Sequence, residues 1–178
     1  AKSRAVLSTQ LAYLVHHVLS DEVARWPSLG HPNALEMGRP AGAKTGKNGD
    51  GSQVWTAGYT PQRVVVVRLG LPGSEVDIRA AAGIWHALMQ YGTRGQPVLN
   101  WQMPAGVTVR DVCDPSGLLP TARCPKIVTE VFLQGTTPLV TDNLYRLFQV
   151  NRETGRLATA FTPPELVDQQ VFLVVPLE

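Results

Sequence analysis

Lys44, Thr45, Gly46 and Lys47 stand in GRPAGAKTGKNGDGSQVWTAGYTP, residues 38–61, a stretch whose residue types suit two kinds of anion chemistry. A glycine-rich loop carrying a lysine can cradle phosphate through its backbone N–H groups. A Lys-Thr-Gly run on a strand can instead present charge and a hydroxyl to an acyl-transfer site. Spacing separates the two. A phosphate loop needs G-x-x-x-x-G-K-[ST], and here Gly42 is followed by Gly46-Lys47-Asn48, one residue too close and with Asn where the hydroxyl belongs. Such a loop also joins a strand to a helix, whereas this one runs through NGDG turn chemistry into another β-like run. On a strand beside a cleft, Lys44 would supply charge for a carboxylate and Thr45 a hydrogen bond, while Gly46 would leave room for a peptide to approach. The competing structural explanation is an ordinary strand whose lysine points to solvent.

The elements around this stretch follow from its periodicities. Upstream, Leu11, Leu14, Val15, Val18, Leu19 and Val23 recur at helical spacing, with Ser8 as the N-cap, and predict a helix over about 8–25. His16 and His17 lie on or beside this stripe and read as packed or solvated residues. Residues 26–40 are rich in Pro and Gly and form a connection. AGAKTGK, QVWTAGYT and RVVVVRLGL, separated by NGDG and Pro61-Gln62, predict an antiparallel meander of three strands. DIRAAAGIWHALMQYG then brings Ile78, Ala81, Ala82, Trp85, Leu88 and Met89 to one face of a second helix. The expectation for residues 1–92 is an α+β unit, an antiparallel sheet flanked by helices.

From Gly92 the texture changes. Residues 93–100 read as a linker, and 101–178 as a small β-rich domain with short runs VTVRDVC, IVTEVFLQG, LYRLFQV and VFLVVP. FQVNRETGRLAT reads as a hairpin turning at Asn151 to Gly155. Trp101 suits either packing or a glycan platform, packing being the default. Cys113 and Cys124 flank a Pro-Ser-Gly turn, a geometry that suits a disulfide. Free buried thiols or half of a metal site are the alternatives, but zinc needs about four ligands and all four histidines are far away in sequence. No metal site is expected, and a bridge would imply an oxidising compartment.

Composition narrows the function classes. Lys and Arg number 16 against 14 Asp and Glu, and no basic block could neutralise a row of phosphates, so nucleic acid is not an expected partner. No apolar run reaches the roughly 20 residues of a membrane span, and AKSRAVLSTQ lacks the apolar core of a signal peptide.

RPAGAKTGKNGDGSQVWTAGYTPQRVVVVRLG resembles the third conserved motif of penicillin-binding protein transpeptidase domains together with the two strands that follow it, the ending WTAGYTP being especially similar. STQLAYLVHHVLSDEV is similar to the helix preceding that motif, and IRAAAGIWHALMQYG to the C-terminal helix on the family's central sheet. CDPSGLLPTARCPKIVTEVFLQGTTP is similar to the tail of some bifunctional members, which carry separate glycosyltransferase and transpeptidase domains. The resemblance implies that Lys44 and Thr45 are catalytic, binding the carboxylate end of a peptidoglycan stem peptide or β-lactam and supporting proton transfer. It implies that Gly46 permits close approach and that the Lys47 backbone N–H is one donor of an oxyanion hole. No cofactor is implied.

Two departures stand beside the resemblance. Lys47 replaces the family's usual Thr or Ser, which removes a hydroxyl and adds an ammonium. No serine of the chain lies in S-x-x-K, S-x-N or S-D-N, so the nucleophile and its helper are absent. The expectation is a C-terminal piece of an extracytoplasmic D,D-transpeptidase whose longer parent is membrane-anchored, the chain alone being inactive. The alternative is a non-catalytic module that docks cell-wall polymer or an envelope partner.

Overall fold

The computed structural model describes residues 4–175, and contacts divide the chain after Ala105 into two units. The fold is α+β. In the first unit, α1 (Thr9–Ser20) is capped by Ser8, whose hydroxyl accepts from the Leu11 N–H at 3.2 Å. The expected helix over 8–25 ends early. Asp21 is extended, and its carboxylate caps the Ala24 N–H at 3.0 Å, starting a separate 3₁₀ turn, Val23–Arg25, and the short α2 (Trp26–Leu29). The apolar stripe of α1 is only partly its packed side: Leu11, Val15 and Val18 are exposed, while Leu14 and Leu19 are half-buried together with Tyr13, His16 and His17.

Three strands follow, β1 (Gly42–Lys47), β2 (Gln53–Tyr59) and β3 (Val64–Gly70), in the order β1-β2-β3, all antiparallel. The β1–β2 turn is built on Asn48, whose N–H donates to Gln53 O and whose Oδ1 accepts from Gln53 N–H; Gly51 takes the left-handed conformation at φ +70°. At the next turn the Thr60 hydroxyl accepts from the N–H groups of Gln62 and Arg63.

Strand alternation gives the sheet two unlike faces. Ala43, Thr45 and Lys47 lie on one, in register with Gly58, Thr56 and Val54, which pair in turn with Val65, Val67 and Leu69. This face is covered by α3 (Ile78–Thr93), whose Ala81, Ala82, Trp85 and Met89 are buried, and together with Leu35, Met37 and Ala41 they form the core. Leu88, expected on the same helix face, is 48% exposed. Gly58 is the close-approach point: a Cβ there would lie 2.3 Å from Trp85 Cζ2. The opposite face carries Gly42, Lys44 and Gly46 opposite Tyr59, Ala57 and Trp55, and then Val64, Val66 and Arg68. Trp55, Val64 and Val66 are exposed there, with the Arg68 guanidinium 5.2 Å from the centre of the Trp55 ring.

Residues 96–105 have no regular structure but are tied to the first unit. Arg39 donates to Gln96 O, Gln62 to Pro97 O and Gln10 to Ala105 O, and Trp101 stacks on His16 with ring centres 3.9 Å apart. Trp101 thus packs within the first unit.

The second unit holds two two-stranded antiparallel sheets, β4 (Val107–Cys113) with β5 (Ile127–Leu133) and β6 (Tyr145–Asn151) with β7 (Val167–Leu173). The turn from Asn151 to Gly155 forms, with Gly155 N–H donating to Asn151 O, but the returning chain meets β6 only at the Val150–Leu157 bridge and the ladder goes to β7. Cys113 and Cys124 are bonded to each other. Among the described residues of this unit only Val107, Val112, Cys113, Val150 and Asp142 are buried.

Candidate active-site strand

β1 is an edge strand, and its register decides what it offers. Asn48 N–H bonds back to Gln53 O, so by the alternation of an antiparallel ladder Gly46, Lys44 and Gly42 turn their backbone groups toward β2. Ala43, Thr45 and Lys47 turn theirs outward along the free edge. The Thr45 carbonyl accepts from Lys44 Nζ at 2.8 Å, and among the described residues the N–H groups of Thr45 and Lys47 have no partner.

The four sequence-predicted site residues are therefore brought together along an edge and not on one face. The Lys44 side chain is exposed on the open face. The Thr45 side chain is buried on the helix-covered face. Gly46 returns to the open face, where an added Cβ would meet nothing within 4 Å; neither packing within this chain nor a left-handed conformation requires glycine there. Lys47 lies on the helix side, and its Nζ bonds Glu75 Oε1 at 2.9 Å in an exposed pair; that carboxylate holds the ammonium above its usual pKa.

The chain entering β1 is fixed by a node at Glu36. Its Oε1 accepts from Trp26 Nε1 at 3.1 Å, Asn33 Nδ2 at 2.7 Å and Asn33 N–H at 3.3 Å, with His31 Nδ1 3.1 Å from Oε2. Burial, which raises the pKa of this carboxyl, is outweighed by the bonds and charge of His31 and the donors of Asn33 and Trp26, so the net shift is downward. At the same end of the strand, beside Gly42, Tyr59 OH lies 3.4 Å from His16 Nδ1. Burial, and then the charge of neighbouring His17, lower the His16 pKa, and burial raises that of Tyr59.

Two residues of this environment are not legible in the sequence. The helix periodicity places Arg25 at a helix end and gives it no further role; its Nη1 donates to Leu19 O at 2.8 Å and reaches Ala43 O at 3.5 Å. The signal is a basic residue just past a helix C-terminus, where unpaired carbonyls collect. Glu75 sat in an unremarkable loop, and only the return of that loop over the β1–β2 turn, with Val76 N–H donating to Gly51 O at 2.9 Å, carries it to Lys47.

Comparison with known proteins agrees with this architecture. The model of the family "Penicillin-binding protein 1A, C-terminal domain" matches residues 103–147, a range that includes the disulfide loop and lies outside β1. Penicillin-binding protein 1A of Clostridium botulinum (strain Langeland) is 32% identical over 181 residues, covering 96% of this chain, and that of Clostridium novyi is 27% identical over 175 residues, covering 94%. The chain spans about a fifth of the length of these relatives, 22% and 20%. The crystal structure of penicillin-binding protein 1A from Haemophilus influenzae superposes with a TM-score of 0.61 at 22% identity, covering 78% of this chain and 22% of that one, a likeness of fold. The chain belongs to the penicillin-binding protein 1A family and carries residues of its C-terminal domain.

Proposed function

We propose that the first unit is the C-terminal part of a peptidoglycan D,D-transpeptidase domain and that β1 is its substrate-bearing strand. The observation that carries this reading is the free edge: Thr45 and Lys47 direct unpaired N–H groups outward beside the open space over Gly46. Along such an edge a ligand carbonyl can accept a backbone N–H, as the developing oxyanion of acyl transfer requires. Lys44 supplies the charge that attracts the carboxylate of a stem peptide or β-lactam, and Thr45 meets the ligand from the strand edge. Lys47 contributes its N–H, while its ammonium is drawn away by Glu75, so replacing the usual hydroxyl residue leaves the backbone donor in place.

The nucleophilic serine lies in the longer parent and not in this chain. The parent works in the extracytoplasmic envelope, anchored through a segment other than the described residues, in which no helix is long and apolar enough to cross a membrane. Labelled penicillin tests the assignment. The parent is expected to take one label and the 178-residue chain none, since no serine of the chain stands in the required spacing. In the parent, Lys44→Ala is expected to slow acylation by about 10²–10³. A stoichiometric adduct on the isolated chain, seen by intact mass, would contradict the reading, as would an unchanged rate in the folded variant.

A further inference from the structure

The edge of β1 is not an ordinary open strand edge. Its outward carbonyls belong to Ala43, Thr45 and Lys47, and two of the three already face cations. Ala43 O is reached by Arg25 Nη1 at 3.5 Å, and Thr45 O takes Lys44 Nζ at 2.8 Å. Among the described residues the outward N–H groups of Thr45 and Lys47 have no partner. A free edge with both donors and acceptors pairs with any extended chain. An edge whose acceptors are covered by its own cations offers donors and positive charge, and so favours a ligand that presents oxygens.

Arg25 stands where this edge begins. The same guanidinium nitrogen that reaches Ala43 O also holds Leu19 O, the carbonyl of the penultimate residue of α1, so the group joins a helix end to a strand edge. Among the described residues its Nε and Nη2 are buried without a hydrogen-bond partner, and its Nη1 is directed to two carbonyls. Among the described residues no ion pair to it is found, and the Asp21 carboxylate accepts instead from the Ala24 N–H through Oδ1.

We propose that Arg25 is a positioning residue of the β1 edge. By covering the outward carbonyl of Ala43 it closes the edge at that point, so an extended, carboxylate-bearing peptide can pair only from Thr45 onward. The ligand's register against Thr45 and Lys47 is thereby set by a residue that does not touch it. The proposal rests on the reading of β1 as the substrate strand, and it adds the device that fixes where pairing stops and why a neutral strand is a poor occupant.

The test has two arms. In the 178-residue chain labelled with ¹³C and ¹⁵N, Arg25→Ala is expected to shift the carbonyl resonances of both Leu19 and Ala43 and to leave those of Val54 and Met89 in place; Arg25→Lys is expected to retain the Leu19 position. In the parent, labelled-penicillin kinetics are resolved into the pre-covalent affinity and the bond-forming rate. Arg25→Ala is expected to weaken the affinity about fivefold to tenfold, the worth of a charged hydrogen bond, with the bond-forming rate within twofold. Arg25→Lys is expected to recover part of the loss. A purely structural role would move the core resonances as well. An Ala43 carbonyl unmoved in Arg25→Ala, or a loss confined to the bond-forming step, overturns the assignment of Arg25. A wild-type parent that takes no label overturns the proposed function and the ligand assignment with it, independently of what the carbonyls show.

Discussion

At the scale of single residues, Gly46 and Gly58 show that glycines on neighbouring strands serve unrelated ends. Space above Gly46 is empty within 4 Å, so nothing in the chain's packing needs the missing side chain. Gly46→Ala is expected to leave thermal stability unchanged or raised by up to about 1 kcal/mol, because it restricts the unfolded chain without a clash. In the parent the same methyl is expected to lower penicillin acylation by about tenfold, because it stands where the ligand must approach, a cost of the size of overpacking. Melting curves and acylation rates measured on one preparation separate the two effects; a variant that unfolds early would assign Gly46 to structure. Lys47 and Glu75 make the complementary point. An exposed pair of this kind contributes little to stability, and its consequence is where the ammonium goes.

At the scale of elements, the sheet and α3 are joined through Gly58. A Cβ at that position would sit 2.3 Å from the Trp85 ring and 2.8 Å from Gly42 O, and neither a fully buried indole nor a strand backbone can yield. Gly58→Ala is therefore expected to cost about 1–3 kcal/mol of the first unit's stability, read as a lowered Tm. The packing of α1 is expected to respond to pH through His16. His16, held between Trp101 and Tyr59, has a folded pKa depressed by burial and by His17, so the folded state resists a proton that the unfolded chain accepts near pH 6.5. The stabilising difference is full above about pH 6.5 and is lost as pH falls through that value to the lower folded pKa. Melting of the first unit is expected to decline as pH falls below about 6.5, and His16→Gln is expected to flatten the decline. Equal slopes in the two proteins would remove His16 as its source.

At the scale of the molecule, the second unit has few buried side chains and two small sheets, each marginal as an isolated hairpin. The Cys113–Cys124 bond closes a short loop between β4 and β5 and is expected to contribute about 3 kcal/mol by restricting the unfolded chain. Replacing both cysteines by serine is expected to lower the denaturant midpoint of this unit by that amount. Thiol quantification on denatured protein from an oxidising compartment should return no free thiol before reduction and two after. Two free thiols at the outset would remove the bridge and the strongest residue-level reason for an extracytoplasmic setting.

Much of this organisation is legible in the amino-acid order. The three strands and their turns follow from β-rich runs interrupted by NGDG and Pro61-Gln62, and α3 from the spacing of Ala81, Ala82, Trp85 and Met89, because such signals are local and each segment carries its own. The Lys-Thr-Gly stretch likewise marks itself by residue type. Which side of a strand or helix meets the rest of the molecule is another matter. Much of the apolar stripe of α1, Leu11, Val15 and Val18, is exposed, and Thr45 turns under the sheet while Lys44 turns over it. The strand order that makes β1 an edge, the register that sends the Lys47 N–H outward, and the meeting of Arg25 with Ala43 all depend on residues far apart in sequence, and only the tertiary structure decides them. Periodicity records that a segment has two faces; the free energy of burial that selects between them belongs to whichever neighbours the whole chain brings.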